Sequence, residues 1–576
     1  MHLPIDEISM GNKEERENVS MYKTRKFTKC IAFALAFAMA MPVTLFAAGP
    51  RLPANFDNME IRNIIFLIPD GMDDNLVNMA RWWISYDRET HTADPNVWLH
   101  MDELASGRVR TWWGDPANNI VGPIADSAPS GTAFATGHKT LNQFIGVTPD
   151  ERPAATILQA ARHLGKGTGI VLTSNVQHAT GAAFTSHTSD RNLNAVIAEQ
   201  QVYGRIDVVL GGGYHWLTTG RQDGENLIDT LVERGVTVVH TRDDMLAVTE
   251  GPLWGLFAPV AMAYDIDKPM NHPHQPTLAE MTDQAIRLLS QNENGFFLMV
   301  EGSKIDWAAH KNEPVAAITD TVAFDEAIRV ALEFARGRND TMLLIATDHG
   351  CGGPTLGDRI TGGADTPWTY DNDLIDVFFR IISGARLTGE GLVERLNEDR
   401  SNVAQLVARY WGIYDLTADE IATVVNAQGD WDTAIAFGYI MSPRAHIGWT
   451  TYGHTGNDGT LWSFLPGDAR ITGTMNNTDF THIAARAWGV SMGELTGMLF
   501  NDAREIFEGR GASVILVDEV PSSALMIVMR GDNVMIIPQN KDYVLFNGAR
   551  VNFDGQVMVF NNDIFFVPQG VIDLLP

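Results

Sequence analysis

Between about Asn63 and Glu505, short continuous apolar runs alternate with stretches of helical period, and this alternation confines the chain to an open α/β architecture. The runs are Asn63–Ile68, Gly169–Leu172, Asp207–Leu210, Val236–His240, Phe296–Val300 and Thr341–Ala346. Runs of this kind, bounded by Gly, Pro or Asp, suit parallel strands covered by helices on both faces. The expected fold class is therefore α/β, a largely parallel central sheet flanked by helices. Such a sheet gathers its functional side chains just beyond the carboxyl ends of its strands.

Two segments depart from this pattern. Residues 351–452 read as a helical insertion, with helical patterns over Gly391–Trp411 and Thr417–Gln428. Near Arg510 the pattern changes to short β-type runs separated by Gly, Asn and Asp turns: Val514–Val517, Ala524–Met529, Val534–Ile537, Tyr543–Asn547, Gln556–Phe560 and Ile564–Val567. The chain thus divides into a main domain, 49–510, and a small β-rich C-terminal module, 511–576. The module's Asn547-Gly548, Val551-Asn552-Phe553 and Phe566-Val567-Pro568 pattern loosely resembles the stalk-like repeat related to the N-terminal domains of copper amine oxidases. A plain β-extension of the main domain is the competing reading.

At the amino end, Lys23, Arg25, Lys26 and Lys29 precede an apolar run from Ile31 to Phe46, and small residues Ala47, Ala48 and Gly49 follow. This is the plan of a cleaved export signal, 1–48, with residues 1–20 as an extension upstream of an alternative start at Met21. A membrane anchor is the alternative, but the run is short and contains Pro42. No later stretch is apolar enough to span a bilayer, so the mature chain is expected to lack a transmembrane segment and to be secreted, extracellular or cell-surface associated. Of the two cysteines, Cys30 falls in the signal, leaving Cys351 alone and no disulfide framework. The formal charge of -29, with no basic cluster, argues against nucleic-acid binding. An acidic protein that handles anions must supply local positive charge, and metal ions can do so.

Six segments carry the chemistry. Asp70 follows the apolar run Ile64–Pro69, and Gly71 lets the chain turn sharply. In Ala125-Asp126-Ser127-Ala128-Pro129, Ser127 would open a helix, where free N–H groups favour an anion; the bland reading is an N-cap serine. No Gly-x-Ser-x-Gly elbow surrounds it, so activation must come from metal. In Val300-Glu301-Gly302…Asp306…His310, Glu301 leaves a strand end, and Asp306 and His310, four apart, share a helix face suited to zinc. Asp348 and His349 follow the run Leu343–Ala346; Cys351 reads as their neighbour rather than a ligand. His454 sits in a loop between Gly453 and Gly456, whereas His446 lacks such flanking glycines. Finally, His178-Ala179-Thr180 precedes Arg191, whose planar fork suits two phosphate oxygens. So many acids converging on one sheet edge would repel one another unless cations neutralise them.

Over about residues 60–505, the ordered set Pro-Asp-Gly-Met, Asp-Ser-Ala, Val-Glu-Gly…Ile-Asp…His, Thr-Asp-His-Gly and Gly-His-Thr-Gly resembles the alkaline phosphatase family. The resemblance implies hydrolysis of phosphate monoesters through a phosphoserine on Ser127. Asp306, His310 and His454 look like ligands of a first zinc, and Asp348 and His349 like ligands of a second, with Asp70 bridging to a third site. Thr180 and Glu301 match ligands of that third ion, usually magnesium, and Arg191 the arginine that grips the phosphoryl group. His178 and Trp307 stand at two positions that vary in the family and leave the third ion open among magnesium, cobalt and zinc. The family also implies a homodimer, and the C-terminal module offers a contact with the cell envelope. The rivals are a phosphodiesterase or sulfatase of the same superfamily, although no Cys-x-Pro-x-Arg context surrounds Ser127, and a binding protein that retains an inactive fold.

Overall fold

Strand β1 (Asn63–Ile68) is buried along its whole length, and its alternate side chains enter two different cores. Ile65 and Leu67 join one cluster with Leu298, Val300, Leu343 and Ile345; Ile64, Phe66 and Ile68 join the other with Phe297, Met299, Met342 and Leu344. This is why the sequence shows a continuous apolar run instead of alternation: both faces of the pleat are covered. Full burial of each such side chain contributes about 1.5–3 kcal/mol. Phe66 adds edge-to-face contacts with Phe297 and Phe480, with ring centroids 5.2 and 5.3 Å apart.

The computed structural model describes residues 49–357, 374–518 and 523–575. The export-signal reading of 1–48 lies outside them. The other strands of the main sheet are β2 (Ala105–Arg110), β3 (Gly167–Asn175), β4 (Val208–Gly212), β5 (Thr237–Val239), β6 (Leu253–Leu256), β7 (Phe296–Glu301), β8 (Thr341–Ile345), β9 (Gly459–Phe464) and β10 (Gly473–Asn476). They form a ten-stranded sheet in the order β10-β2-β9-β8-β1-β7-β3-β4-β6-β5. β9 alone runs opposite to its neighbours β8 and β2, so the sheet is mostly parallel.

All six apolar runs fall on strands of this sheet. The strands that the sequence pattern did not announce have physical reasons for their silence. β2 (Ala-Ser-Gly-Arg-Val-Arg) and β10 (Gly-Thr-Met-Asn) lie at one border of the sheet and bury little. β6 is four residues long and interrupted by Gly255, where a Cβ would lie 2.5 Å from the Phe257 ring.

Helices α1 (Asp74–Ser85) and α5 (Pro314–Arg336) pack into the core on one face of the sheet, and α2 (Ser127–Thr136), α3 (Ala179–Thr185) and α4 (Lys304–His310) carry residues of the site. Helices α2 and α3 are built of small residues and are buried throughout. They pack so closely that a Cβ at Gly131 of α2 would lie 3.1 Å from Ala183 Cβ of α3.

In the 351–452 interval the described residues are largely helical, with residues 358–373 outside the description. The expected Gly391–Trp411 stretch is two helices, Gly389–Val393 and Val403–Trp411. Between them the side chains of Asp399 and Asn402 accept hydrogen bonds from the backbone N–H groups of Ser401 and Asn397, which competes with helix formation. Two short antiparallel pairs close the neck of the interval: Gly350–Cys351 with His454–Thr455, and Pro354–Leu356 with Ile447–Trp449.

The C-terminal region is β-rich. Strands Ser513–Val517, Leu525–Arg530, Asn533–Pro538, Tyr543–Phe546 and Ala549–Asn552 form an antiparallel sheet in chain order. Ile564–Val567 pairs on one side with Val559–Asn561 and on the other with Asn501–Asp502. The region has its own core, including Met526, Val528, Met535, Ile537 and Phe565, while Val559 and Phe566 face outward into the core of the main domain.

Candidate metal centre

The chemistry-bearing side chains collect at the carboxyl ends of four adjacent strands, β8-β1-β7-β3. Asp70 follows β1, Glu301 ends β7, Asp348 and His349 follow β8, and Thr180 lies in α3 beyond β3. Asp306 and His310 lie one turn apart on α4, with His310 Nε2 3.3 Å from Asp306 Oδ2. His454 arrives from the neck of the insertion, where it is paired opposite Cys351, and its ring stacks on His349 at 3.6 Å between centroids.

The donors fall into three groups, the second and third sharing Asp70, in each of which one ligand atom per residue lies within 4.8 Å of the others. The first is Asp306, His310, His454 and Cys351; the second is Asp70, Asp348 and His349; the third is Asp70, His178 and Glu301. The sets anticipated from the sequence are thus brought together. Thr180, on α3 and fully buried, lies beside Glu301 of the third group. Sequence reasoning set Cys351 aside, yet its sulfur lies with the first group. The readable signal was its place two residues beyond His349, across a ladder from His454. His446, by contrast, packs on Phe378 with ring centroids 6.0 Å apart and is in none of the three groups.

These donors fit cations. Both oxygens of Asp70 and of Glu301, Asp306 Oδ1, Asp348 Oδ2, Thr180 Oγ1 and His178 Nδ1 are buried without a hydrogen-bond partner, an arrangement that folded proteins avoid unless something else satisfies the groups. Burial, reinforced by the charges of Asp348, Asp306 and Glu301, drives the Asp70 carboxyl well above its ordinary range. Burial likewise pushes Glu301 up to about 8 and, with Asp306 beside it, Asp348 up to about 6. For Asp306 burial acts in the same direction, but the hydrogen bond and charge of His310, with His349 and His454, outweigh it and hold the carboxyl below its usual value.

Two of the imidazoles are held by backbone carbonyls, and for His310 burial is outweighed by the hydrogen bond and charge of Asp306, which raise it above its ordinary value. His454 Nδ1 lies 2.7 Å from the Ala125 carbonyl, and His310 Nδ1 lies against the Tyr452 carbonyl. A carbonyl only accepts, so each Nδ1 carries a proton, and Nε2 is the atom through which each ring, once neutral, would bind a cation. Burial and the neighbouring His349 push His454 down to about 4; burial and the charge of Arg191 push His178 down to about 3.

Ser127 is the first residue of α2 and is nearly inaccessible, with Oγ 3.2 Å from His349 Nε2. Ser130, in that helix's first turn, also fixes the second group: its Oγ donates to the Asp348 carbonyl at 2.7 Å. Arg191 approaches from a turn after α3. Its guanidinium is ion-paired with Asp126, the residue before Ser127, and Nη2 lies 3.1 Å from His178 Nε2. Trp307 covers the other side of His178, with ring centroids 5.7 Å apart.

A serine at a helix N-terminus among three groups of metal donors, at the carboxyl edge of a parallel sheet, defines an enzyme that works with divalent ions. The alkaline phosphatase family model matches residues 61–490. Alkaline phosphatase 3 of Bacillus subtilis is 34% identical over 462 residues, which cover 78% of this chain and 93% of that protein. The structure of a cold-active alkaline phosphatase from Shewanella sp. superposes with a TM-score of 0.62 at 30% identity, covering 75% of this chain and 99% of that one. The alkaline phosphatase of Thermus thermophilus shares the fold, with a TM-score of 0.67 at 24% identity over 78% of this chain and 95% of its own. The chain belongs to the alkaline phosphatase family.

Gly71 gives a sharp test of the centre's packing. Its φ is +67°, and a Cβ there would lie 2.5 Å from Asp306 Oδ1. Gly71→Ala is expected to displace Asp306 and lower kcat/KM about a hundredfold, the cost typical of an ångström's misplacement. Steady-state kinetics with metal analysis checks this, and unchanged kinetics would show that the close approach is irrelevant.

Proposed function

We propose that this chain is an exported phosphomonoesterase that works through a phosphoserine on Ser127, with two zinc ions and a third divalent ion. The observation that carries the reading is the position of Ser127 Oγ, at the start of α2 and 3.2 Å from His349, among carboxylates that lack other partners. Asp306, His310 and His454 would hold one zinc and Asp348 and His349 the other, with Asp70 between the second and third groups. Thr180 and Glu301 would hold the third ion, magnesium, cobalt or zinc, with His178 at its edge. Bound there, the ions would supply Lewis acidity and neutralise charge on the transferring group.

The protein's own part can be followed atom by atom. Ser127 Oγ bonds to phosphorus as the bond from phosphorus to the alcohol oxygen breaks, and the alcohol leaves with a proton. The free N–H groups and dipole of α2 favour the phosphoryl charge at that position. Arg191 offers two parallel donors to the non-bridging oxygens, and Asp126 aims its guanidinium. Water then attacks the phosphoserine, breaks the Oγ–P bond and restores the hydroxyl, releasing inorganic phosphate.

The family relatives support a monoesterase over the diesterase and sulfatase rivals. The partnerless donors of the third group and the proximity of Arg191 suit a dianionic group. Export rests on the basic–apolar–small pattern of residues 1–48, and no helix among the described residues is long and apolar enough to cross a membrane. We take residues 49–510 as the catalytic unit and 511–576 as an appended β-rich module. Comparison of kcat/KM on a chromogenic phosphate monoester, the matching diester and the matching sulfate tests the substrate class. The monoester is expected to be fastest, and a faster diester or sulfate would overturn the assignment.

A further inference from the structure

The C-terminal β-rich region is tied to the main domain by a seam of buried polar groups. Asn540 and Asp542 are fully buried and Asn561 is only 6% exposed. Asp542 accepts from Arg205 Nε and Arg234 Nη2, each at 2.9 Å, and from Gly555 N at 3.1 Å. Asn540 accepts from Gln200 Nε2 at 3.0 Å and donates to Glu199 at 2.8 Å, and Lys541 bonds Glu199 and Glu225. Burying so many polar groups is costly unless each finds its partner, so the seam fixes one register between the two parts.

The main-domain side of this seam leads to Arg191. Asn561 Oδ1 accepts from the backbone N–H of Ser189 at 3.2 Å and from its hydroxyl at 3.1 Å. Its Nδ2 donates to the carbonyl of Glu151 at 2.8 Å. Ser189 lies two residues before Arg191. Glu151 lies in the turn that follows residues 143–147, and that segment cradles the same loop: Ile145 and Thr188 exchange backbone hydrogen bonds, and Arg191 N donates to the Gln143 carbonyl at 3.0 Å. One asparagine therefore joins both walls of the cradle. Behind it, Gln200 holds the N–H and carbonyl of His187 and is itself held by Asn540. Arg152, beside Glu151, lies over the Phe566 ring at 5.2 Å.

We infer that the C-terminal region is an internal brace for the Arg191 loop, and that Asn561 is a positioning residue for phosphate binding. This rests on the reading of Arg191 as the phosphoryl-gripping side chain. Asn561 does not act on phosphate itself; it fixes the backbone from which Arg191 reaches.

The test uses the full chain with its metals. Asn561→Ala, which removes three hydrogen bonds, is expected to raise KM for a phosphate monoester and Ki for inorganic phosphate at least about fivefold, the factor carried by a single one, with metal content unchanged. Asn561→Asp keeps the acceptor for Ser189 but sets an oxygen against the Glu151 carbonyl, so it is expected to recover only part of the affinity. In an Arg191→Ala background, Asn561→Ala is expected to add nothing further, because its effect passes through that guanidinium. A lowered Tm with unchanged KM and Ki would overturn the brace, as would effects that multiply in the double variant. If Asn561→Ala fails to fold, Ser189→Ala, which removes only the hydroxyl, carries the same expectation of raised Ki. The two readings fail separately. Arg191→Ala with unchanged Ki sinks the role of Arg191 and this inference with it, while a raised Ki there beside unchanged values for the Asn561 and Ser189 variants sinks this inference alone.

Discussion

Ser127→Ala is expected to lower turnover of a chromogenic phosphate ester by about four orders of magnitude or more, the scale seen when a nucleophile is removed from a preorganised site. The substitution deletes one oxygen and little else. Ser127 stands at the first position of α2, where its backbone continues the helix whatever its side chain, and the hydroxyl's hydrogen bond in the site is to His349 at 3.2 Å. The donors of the three metal groups are untouched, so elemental analysis is expected to find the same ions as in the parent chain. Turnover within tenfold of the parent would remove Ser127 as nucleophile and leave direct attack by water as the mechanism.

Chelation is expected to have the second largest effect: activity falls to background and returns with zinc together with magnesium or cobalt. Full recovery with zinc alone would remove the third site from the mechanism. Stability changes too, with a definite sign. Without cations, burial keeps Glu301 protonated up to about 8, against an ordinary 4.5, and Asp348 up to about 6, against 3.8. Above about pH 6.5, where the depressed histidines are neutral whether the chain is folded or unfolded, Glu301 still holds its proton in the folded chelated chain, so its contribution to stability falls as pH rises to about 8. In the loaded protein those carboxylates stay charged beside a cation, and the downward slope is expected to vanish. Melting temperatures measured across this range, with and without chelator, check it; parallel curves would mean that the ions do not sit on these acids.

The sequence revealed the sheet and most of the centre for the same reason. Strands covered on both faces must be continuously apolar, so a carboxylate directly after such a run, as at Asp70, Glu301 and Asp348, stands out as a charge at the rim of a core. The four-residue spacing of Asp306 and His310 was equally legible, because helix periodicity puts both on one face. What stayed hidden depends on contacts between distant segments. Cys351 becomes a neighbour of the first group only through a two-residue ladder with His454. β2 and β10 carry too few apolar residues to register as buried strands, and β9 gives no local sign that it runs backward. The seam through Asn540, Asp542 and Asn561 was unreadable as well, since three polar residues between β-type runs look like ordinary turns until their partners, more than three hundred residues away, are known.

The four strands that present the donors are neighbours in space but not in sequence, and the last donor, His454, arrives after the whole insertion. No short stretch of nascent polypeptide holds a complete ligand set. Metallation must therefore come late, once the sheet has assembled around β1, and a divalent ion cannot serve as a nucleus around which the chain collects itself. A molecule that crosses a membrane unfolded would do so empty of metal and acquire its ions from whatever surroundings it reaches.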